Sequence, residues 1–232
     1  MSMLSIVQTI VAEGGLPEML RGQAAAEAGF TRAIGVLARR FYQCIQQPHV
    51  IWAATEWTGQ AAHDAAAEGI MKIRRDDRVA AACFRPGLYF EIFGHPVEGA
   101  CRAFGAGGTS AGCSGDAGFV LVCHGTVADR SREGWRGRLA ARVEQACAAP
   151  PPGLLSLSVF ENDHGLQEFV AFLGFRDEAA YAAARLPEGA PAEARTLEER
   201  LFVEDGRSDL SGYDQFECRP LTFGADAGTA SG

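Results

Sequence analysis

A chain of 232 residues, 47% hydrophobic and 22% charged, has enough apolar material for a packed core, in one large domain or in two modules of about 100–120 residues. Its formal net charge of −8 opposes a long polyanion such as DNA, and the one basic run, Lys72 to Arg78, is diluted by Asp76 and Asp77 and reads as a solvated helix end. The N-terminus has no basic n-region and no apolar run approaches the ~18 residues of a membrane span, so a cytoplasmic protein that binds neither nucleic acid nor membrane is expected.

A strand is expected near 4–11, followed by a helix from Leu16 to Leu37, where Leu16, Met19 and Leu20 recur at i, i+3, i+4. Strands follow near 40–46 and 49–57, with Pro48 in the turn between them. Thr58 is the expected N-cap of a helix over 59–74, and a strand near 87–93 ends this set. The second half predicts strands near 118–126, 154–161, 167–175 and 213–219. Its helices fall near 131–148, with Ser131 as N-cap, and near 177–186. Each half therefore has the order βαββαβ of the ferredoxin-like unit.

The two halves also match in sequence. The block His49 to His63 aligns with Gln167 to Tyr181 at a spacing of 118 residues, pairing Ala53 with Ala171, Trp57 with Phe175, Ala62 with Ala180 and His63 with Tyr181. Met3-Leu-Ser-Ile-Val aligns at the same spacing with the strand beginning at Leu121, and Tyr89-Phe-Glu-Ile92 resembles Gln215-Phe-Glu-Cys218. Residues 1–93 and 118–222 are thus expected to be two like modules. The Gly-rich stretch 94–117 would link them, and 223–232 would form a small, polar, flexible tail.

In 49–57 one strand face carries Ile51, Ala53 and Trp57 and the other Val50, Trp52 and Ala54; the second half offers Phe169, Ala171, Leu173 and Phe175 against Val170 and Phe172. Both faces being apolar, helices should cover one and a second sheet the other. The expected fold is α+β: two tandem ferredoxin-like modules packed sheet to sheet as a pseudo-symmetric barrel within one chain.

At Glu56-Trp57-Thr58-Gly59-Gln60-Ala61-Ala62-His63 the sequence resembles the antibiotic biosynthesis monooxygenase family, a strand ending in Glu-Trp, a Ser or Thr turn, and a helix opening with Ala and His. The second half keeps the pattern loosely, with Phe175 for Trp and Tyr181 for His. The resemblance implies the dimeric α+β barrel fold, here supplied by tandem copies, and a possible homodimer of such barrels. It also implies an oxidoreductase without metal or flavin, oxidising a small apolar, aromatic or polyketide-type molecule. Such chemistry needs a base and donors that steady an oxyanion. The resemblance points to His63 as base, and to Tyr42, Trp52, Trp57 and Tyr89 as donors and pocket walls in the first half. In the second half Trp135, Glu168, Phe175 and Tyr181 stand in the corresponding places. Packing competes with each role: Trp57 suits a plug between helix and sheet, and the tyrosines suit a core with satisfied hydroxyls. A non-catalytic module holding an apolar ligand, or serving assembly, is the alternative reading.

No metal is expected. Seven cysteines at 44, 83, 101, 113, 123, 147 and 218 contain no CxxC pair and read as free thiols, and the spacing of Cys101, Cys113 and Cys123-His124 is no finger pattern. Neighbours in a strand such as Cys123 and His124 also face opposite ways. Haem is the rival cofactor, because tandem α+β barrels include chlorite dismutase-like proteins. Its candidate ligands are His124 and His164, neither of which falls on a predicted helix, and the sole asparagine, Asn162, does not lie near the first strand, where the haem-degrading members carry theirs.

Overall fold

The computed structural model describes residues 3–12, 14–17, 19–20, 35–66, 84–104, 109–110, 113–128, 133–162, 168–185, 196–204, 207–208 and 210–221; for 84–93, 109–110, 113–114, 203–204 and 207–208 it describes the backbone alone. Its strands in chain order are β1 (Met3–Val11), β2 (Val36–Cys44), β3 (Val50–Trp57), β4 (Phe84–Ala103), β5 (Thr109–Ser110), β6 (Cys113–Ser114), β7 (Phe119–Val127), β8 (Leu154–Asn162), β9 (Glu168–Phe175), β10 (Val203–Glu204), β11 (Arg207–Ser208) and β12 (Leu210–Leu221). Helices cover 60–66, Trp135–Ala148, Glu178–Ala184 and Leu197–Phe202. Among the described residues no helix is long and apolar enough to cross a membrane.

Eight strands close into an antiparallel barrel in the order β1-β3-β2-β12-β7-β9-β8-β4. Two strands change partner along their length. β4 pairs with β1 as far as Gly94 and from Gly94 onward with β8, while β12 pairs with β7 as far as Cys218 and from Cys218 onward with β2. Each four-stranded sheet, β4-β1-β3-β2 and β12-β7-β9-β8, thereby gives both of its edges to the other, which removes the unpaired backbone groups an open sheet would present.

The strand faces divide the core as the sequence predicts. Leu4, Ile6, Tyr42, Val50, Trp52 and Ala54 from the first half meet Val120, Val122, Phe160, Val170 and Phe172 from the second inside the barrel. Tyr42 and Phe172 lie 5.6 Å apart, and Phe160 and Phe172 6.2 Å. The opposite faces look outward: Val11, Phe41 and Ile51 pack with Met19, and Phe119, Leu121, Phe169, Leu173 and Phe175 pack under the three later helices through Trp135, Leu139, Tyr181, Leu201 and Phe202. The Leu197–Phe202 helix, not foreseen in the sequence, is opened by a capping box in which the Thr196 backbone N–H donates to Glu199 Oε2 (2.8 Å) and the Glu199 N–H to Thr196 Oγ1 (3.3 Å).

The halves share details at the 118-residue spacing. Gly35, at φ 101°, and Gly153, at φ 80°, each accept a backbone hydrogen bond, from Thr58 (2.7 Å) and Arg176 (2.8 Å) respectively. A Cβ at Gly35 would stand 2.3 Å from Ala62 Cβ, and one at Gly153 2.5 Å from Ala180 Cβ. Both places need glycine for the left-handed backbone and for the close approach of the following helix.

Several expectations change. A helix reaching Leu37 gives way to the Gly35 turn and to β2, which starts at Val36; the helical residues described there are 16–17 and 19–20. The 94–117 stretch is not a plain linker, because β4 continues to Ala103 and a small β5-β6 hairpin follows. Gly59, not Thr58, accepts the first bonds of its helix, from the Ala62 and His63 N–H groups. Gly134, at φ 71°, precedes the Trp135–Ala148 helix, and Ser131 lies outside the described residues. Met3 stands opposite Trp57 as Phe119 stands opposite Phe175, so Met3 corresponds to Phe119 rather than to Leu121; a two-residue step preserves the face.

Gly35→Ala and Gly153→Ala are each expected to lower stability by about 1–3 kcal/mol, whereas Gly137→Ala, where an added Cβ meets nothing within 4 Å, should not. Urea denaturation of the three variants checks this.

Candidate active site

Strand parity carries Ser5 on β1 and Thr55 and Trp57 on β3 to the outer face of the first sheet, where Ser5 stands directly opposite Thr55. His63 closes the first turn of the helix that follows β3, so its side chain comes back over the end of that strand. Its ring meets Trp57 edge-on, with centroids 5.3 Å apart at 86°. His63 Nδ1 lies 3.1 Å from Asp64 Oδ1, and that hydrogen bond, with a second from Gln60, holds the exposed Asp64 carboxyl below its usual range. Trp57 Nε1–H donates to Ser5 Oγ at 3.0 Å. Ser5, Thr55, Trp57 and His63 are 5%, 5%, 2% and 7% exposed, so two hydroxyls, an indole and an imidazole share one buried layer. Buried polar groups are costly unless they are bonded, and Ser5 keeps a hydroxyl proton beyond the bond it accepts.

The second half fills the equivalent layer differently. Leu121 stands opposite Leu173 where the first half has Ser5 and Thr55, and Phe119 opposite Phe175 where it has Met3 and Trp57. Tyr181, aligned with His63, stacks on Phe119 (4.5 Å, 18°) and meets Phe175 at 5.3 Å. Trp135 packs on Phe169 at 5.5 Å, and Phe169 stacks on Phe202 at 4.9 Å. Burial pushes the Tyr181 hydroxyl pKa up, with Glu198 and Glu217 adding to the shift. This layer is a dense aromatic core.

The expected site residues are therefore divided among three compartments. Trp57 and His63 meet in the first sheet–helix layer. Phe175, Tyr181 and Trp135 belong to the second. Tyr42 and Trp52, paired in register, point into the barrel instead, so they do not line a pocket with His63. Glu168 is at the barrel mouth, accepting from Asn162 Nδ2 at 3.1 Å. The side chain of Tyr89 lies outside the described residues. Sequence reasoning missed Ser5, Thr55 and Asp64; the available signal was two hydroxyl residues on the covered face of otherwise apolar strands.

Inside the barrel His124 lies 6.3 Å from Trp52, and burial holds its imidazole below the usual pKa while Glu168 and Asp214 pull the other way. His124 faces an interior in which Tyr42, Trp52, Phe160 and Phe172 are buried, and the ring beside it is that of Trp52. His164 lies outside the described residues. Cys123 faces the outer layer, its thiol pushed up to about 12 by burial, so it turns away from its neighbour His124. Among the described residues no three His, Cys, Asp or Glu side chains gather to hold a metal ion.

No family model and no curated protein sequence matches the chain. Solved structures do. An anthrone oxidase-like protein superposes with a TM-score of 0.69 at 11% identity, over 95% of this chain and 91% of its own. A protein from Lactobacillus acidophilus NCFM assigned as a monooxygenase superposes with a TM-score of 0.61 at 14% identity, over 94% and 93%. A chlorite dismutase from Candidatus Nitrospira defluvii gives 0.57 at 8% identity, over 96% and 92%. At such identities the likeness establishes the α+β barrel fold and leaves the chemistry to the residues.

Ser5→Ala strips the Trp57 indole of its buried acceptor and is expected to cost about 1–3 kcal/mol, measured by chemical denaturation against the unaltered chain. His124 resists protonation when folded and accepts it freely when unfolded. Its contribution is therefore complete above its ordinary pKa of about 6.5 and is lost as pH falls below that value. Melting temperature should decline from pH 7 to pH 5, and His124→Gln should flatten the decline.

Proposed function

We propose that this chain is an oxygenase-like enzyme that oxidises a small aromatic or polyketide-type molecule without a cofactor, and that it works in the sheet–helix layer of the first half. One observation carries this reading: Ser5, Thr55 and His63 are buried in the layer between the first sheet and the helix after β3, while the aligned positions of the second half are Leu121, Leu173 and Tyr181. An apolar layer would stabilise either half equally well. Polar groups retained in one of them favour binding of a molecule that is mostly apolar with a few oxygens.

In this proposal His63 takes a proton from the substrate, leaving an electron-rich anion for dioxygen to attack. The Asp64 carboxylate, 3.1 Å from Nδ1, stabilises the imidazolium so formed. The Ser5 and Thr55 hydroxyls donate to the developing oxyanion, and Trp57 forms an apolar wall that keeps water from the anion. We read the two halves, 1–93 and 118–222, as copies of one module; the Gly35–Ala62 and Gly153–Ala180 contacts at equal spacing support that origin. On this view the second copy has become a support.

Oxygen uptake on a panel of anthrones and polycyclic phenols tests the proposal. His63→Ala should lower kcat about 10²-fold or more, and exclusion of oxygen should abolish product. Unchanged turnover in His63→Ala would remove the base from the scheme. A ligand that binds and survives aerobic incubation would favour a binding module.

A further inference from the structure

Cys44 and Cys218 occupy directly opposed positions where β2 meets β12. The next position along, Ile45, donates its N–H to Glu217 O at 2.7 Å. Hydrogen-bonded and non-hydrogen-bonded pairs alternate along an antiparallel ladder, so Cys44 and Cys218 form a non-hydrogen-bonded pair, the narrow kind with Cα atoms about 4.5 Å apart. That separation lies within the span of a disulfide, about 4.4–6.8 Å. Both side chains point to the same face, into the barrel cluster that holds Tyr42, Val120 and Phe172. Cys44 is the last residue of its strand and lies beside Gln46, an exposed residue whose Oε1 is 3.5 Å from Cys44 Sγ and whose amide bonds Glu217.

We propose that Cys44 and Cys218 are a redox couple that closes reversibly into a disulfide across the β2–β12 seam, with a small-molecule disulfide as oxidant. The position gives the bond a consequence. The seam has four paired positions, Cys218↔Cys44 to Leu221↔Phe41, and it is one of the two places where the sheets join. A covalent link there ties the first half to β12, the last strand among the described residues.

The chemistry divides between the two sulfurs. Cys44 is held down to about 6, foremost by a hydrogen bond from the Cys218 thiol and also by the backbone N–H groups of Gln47 and Gln46, against the opposing effect of burial. Cys218 is pushed up, first by the same hydrogen bond and then by burial. Cys44 is thus the attacking thiolate and Cys218 the resolving thiol. The Cys44 thiolate attacks one sulfur of the small disulfide, breaking its S–S bond, releasing one thiolate and leaving a mixed disulfide. Cys218, fully buried, then attacks the Cys44 sulfur and passes its proton to the departing sulfur, releasing the second small thiol. The protein dithiol loses two electrons, and the small disulfide gains them as two thiols.

The test is peptide mapping of the full chain equilibrated with oxidised glutathione, quenched with iodoacetamide in denaturant. The expected result is a linked Cys44–Cys218 peptide pair that dithiothreitol abolishes, with a higher Tm for the oxidised protein than for the reduced. Cys218→Ser, lacking the resolving thiol, should accumulate glutathione on Cys44. Recovery of Cys44 and Cys218 as alkylated thiols in the wild-type chain, or linkage of either to another cysteine, would overturn the proposal. So would an unmodified Cys44 in Cys218→Ser.

Discussion

A four-stranded sheet that is apolar on both faces must hide two surfaces and two edges, and neither half of this chain can do so alone. The barrel solves both problems at once. Turning the inner faces of the two sheets toward each other buries Tyr42 and Trp52 against Phe160 and Phe172. Letting β4 and β12 change partner at Gly94 and Cys218 closes every edge. Closure then fixes what each outward face can do, since strand parity commits alternate residues to the helices. Trp52 and Trp57 are five residues apart on β3, yet one is in the barrel and the other under a helix, and no local change of side chain reverses that.

This division gives the protein three apolar compartments and spreads different tasks among them. The interior joins the halves and needs dense packing. The outer layer of the second half is dense too, with Phe119, Phe169, Phe175, Tyr181 and Phe202 in ring contact. The outer layer of the first half is the exception, holding hydroxyls and an imidazole where its counterpart has leucines and a phenol. A pair of identical modules would have to make the same compromise between stability and chemistry twice. Under the proposed function, two unequal halves divide that compromise, the second contributing stability and the first the chemistry.

Much of the fold was legible in the sequence, because two-sided apolar strands such as 49–57 permit few arrangements and the similar block around Phe175 points to a second sheet of the same kind. The partner switches were not legible. Nothing in the composition of 94–103 distinguishes a strand from a glycine-bearing linker, since the residues that extend β4 are ordered by pairing with β8, far away in sequence. The Leu197–Phe202 helix had a signal, Thr196 and Glu199 at capping-box spacing, between the helix expected near 177–186 and the strand expected near 213–219. The strand–turn–helix motif places His63 near Trp57 and the ring contact agrees, whereas the proximity of Ser5 and Thr55 rests on cross-strand register, which is invisible in one dimension. Tyr42 and Trp52 were grouped with His63 on residue type, and strand parity separates them.

The three tryptophans of the chain fall one to each compartment: Trp57 in the first outer layer, Trp52 in the barrel and Trp135 in the second outer layer. Their indole N–H resonances, resolved by ¹H–¹⁵N NMR and assigned with single Trp→Phe variants, therefore report separately on each. Titration with a two-ring naphthol should move the Trp57 resonance and leave Trp52 and Trp135 in place, because polar lining and buried imidazole coincide at Trp57. Movement of Trp52 or Trp135 with Trp57 unchanged would contradict the assignment of function to the first half.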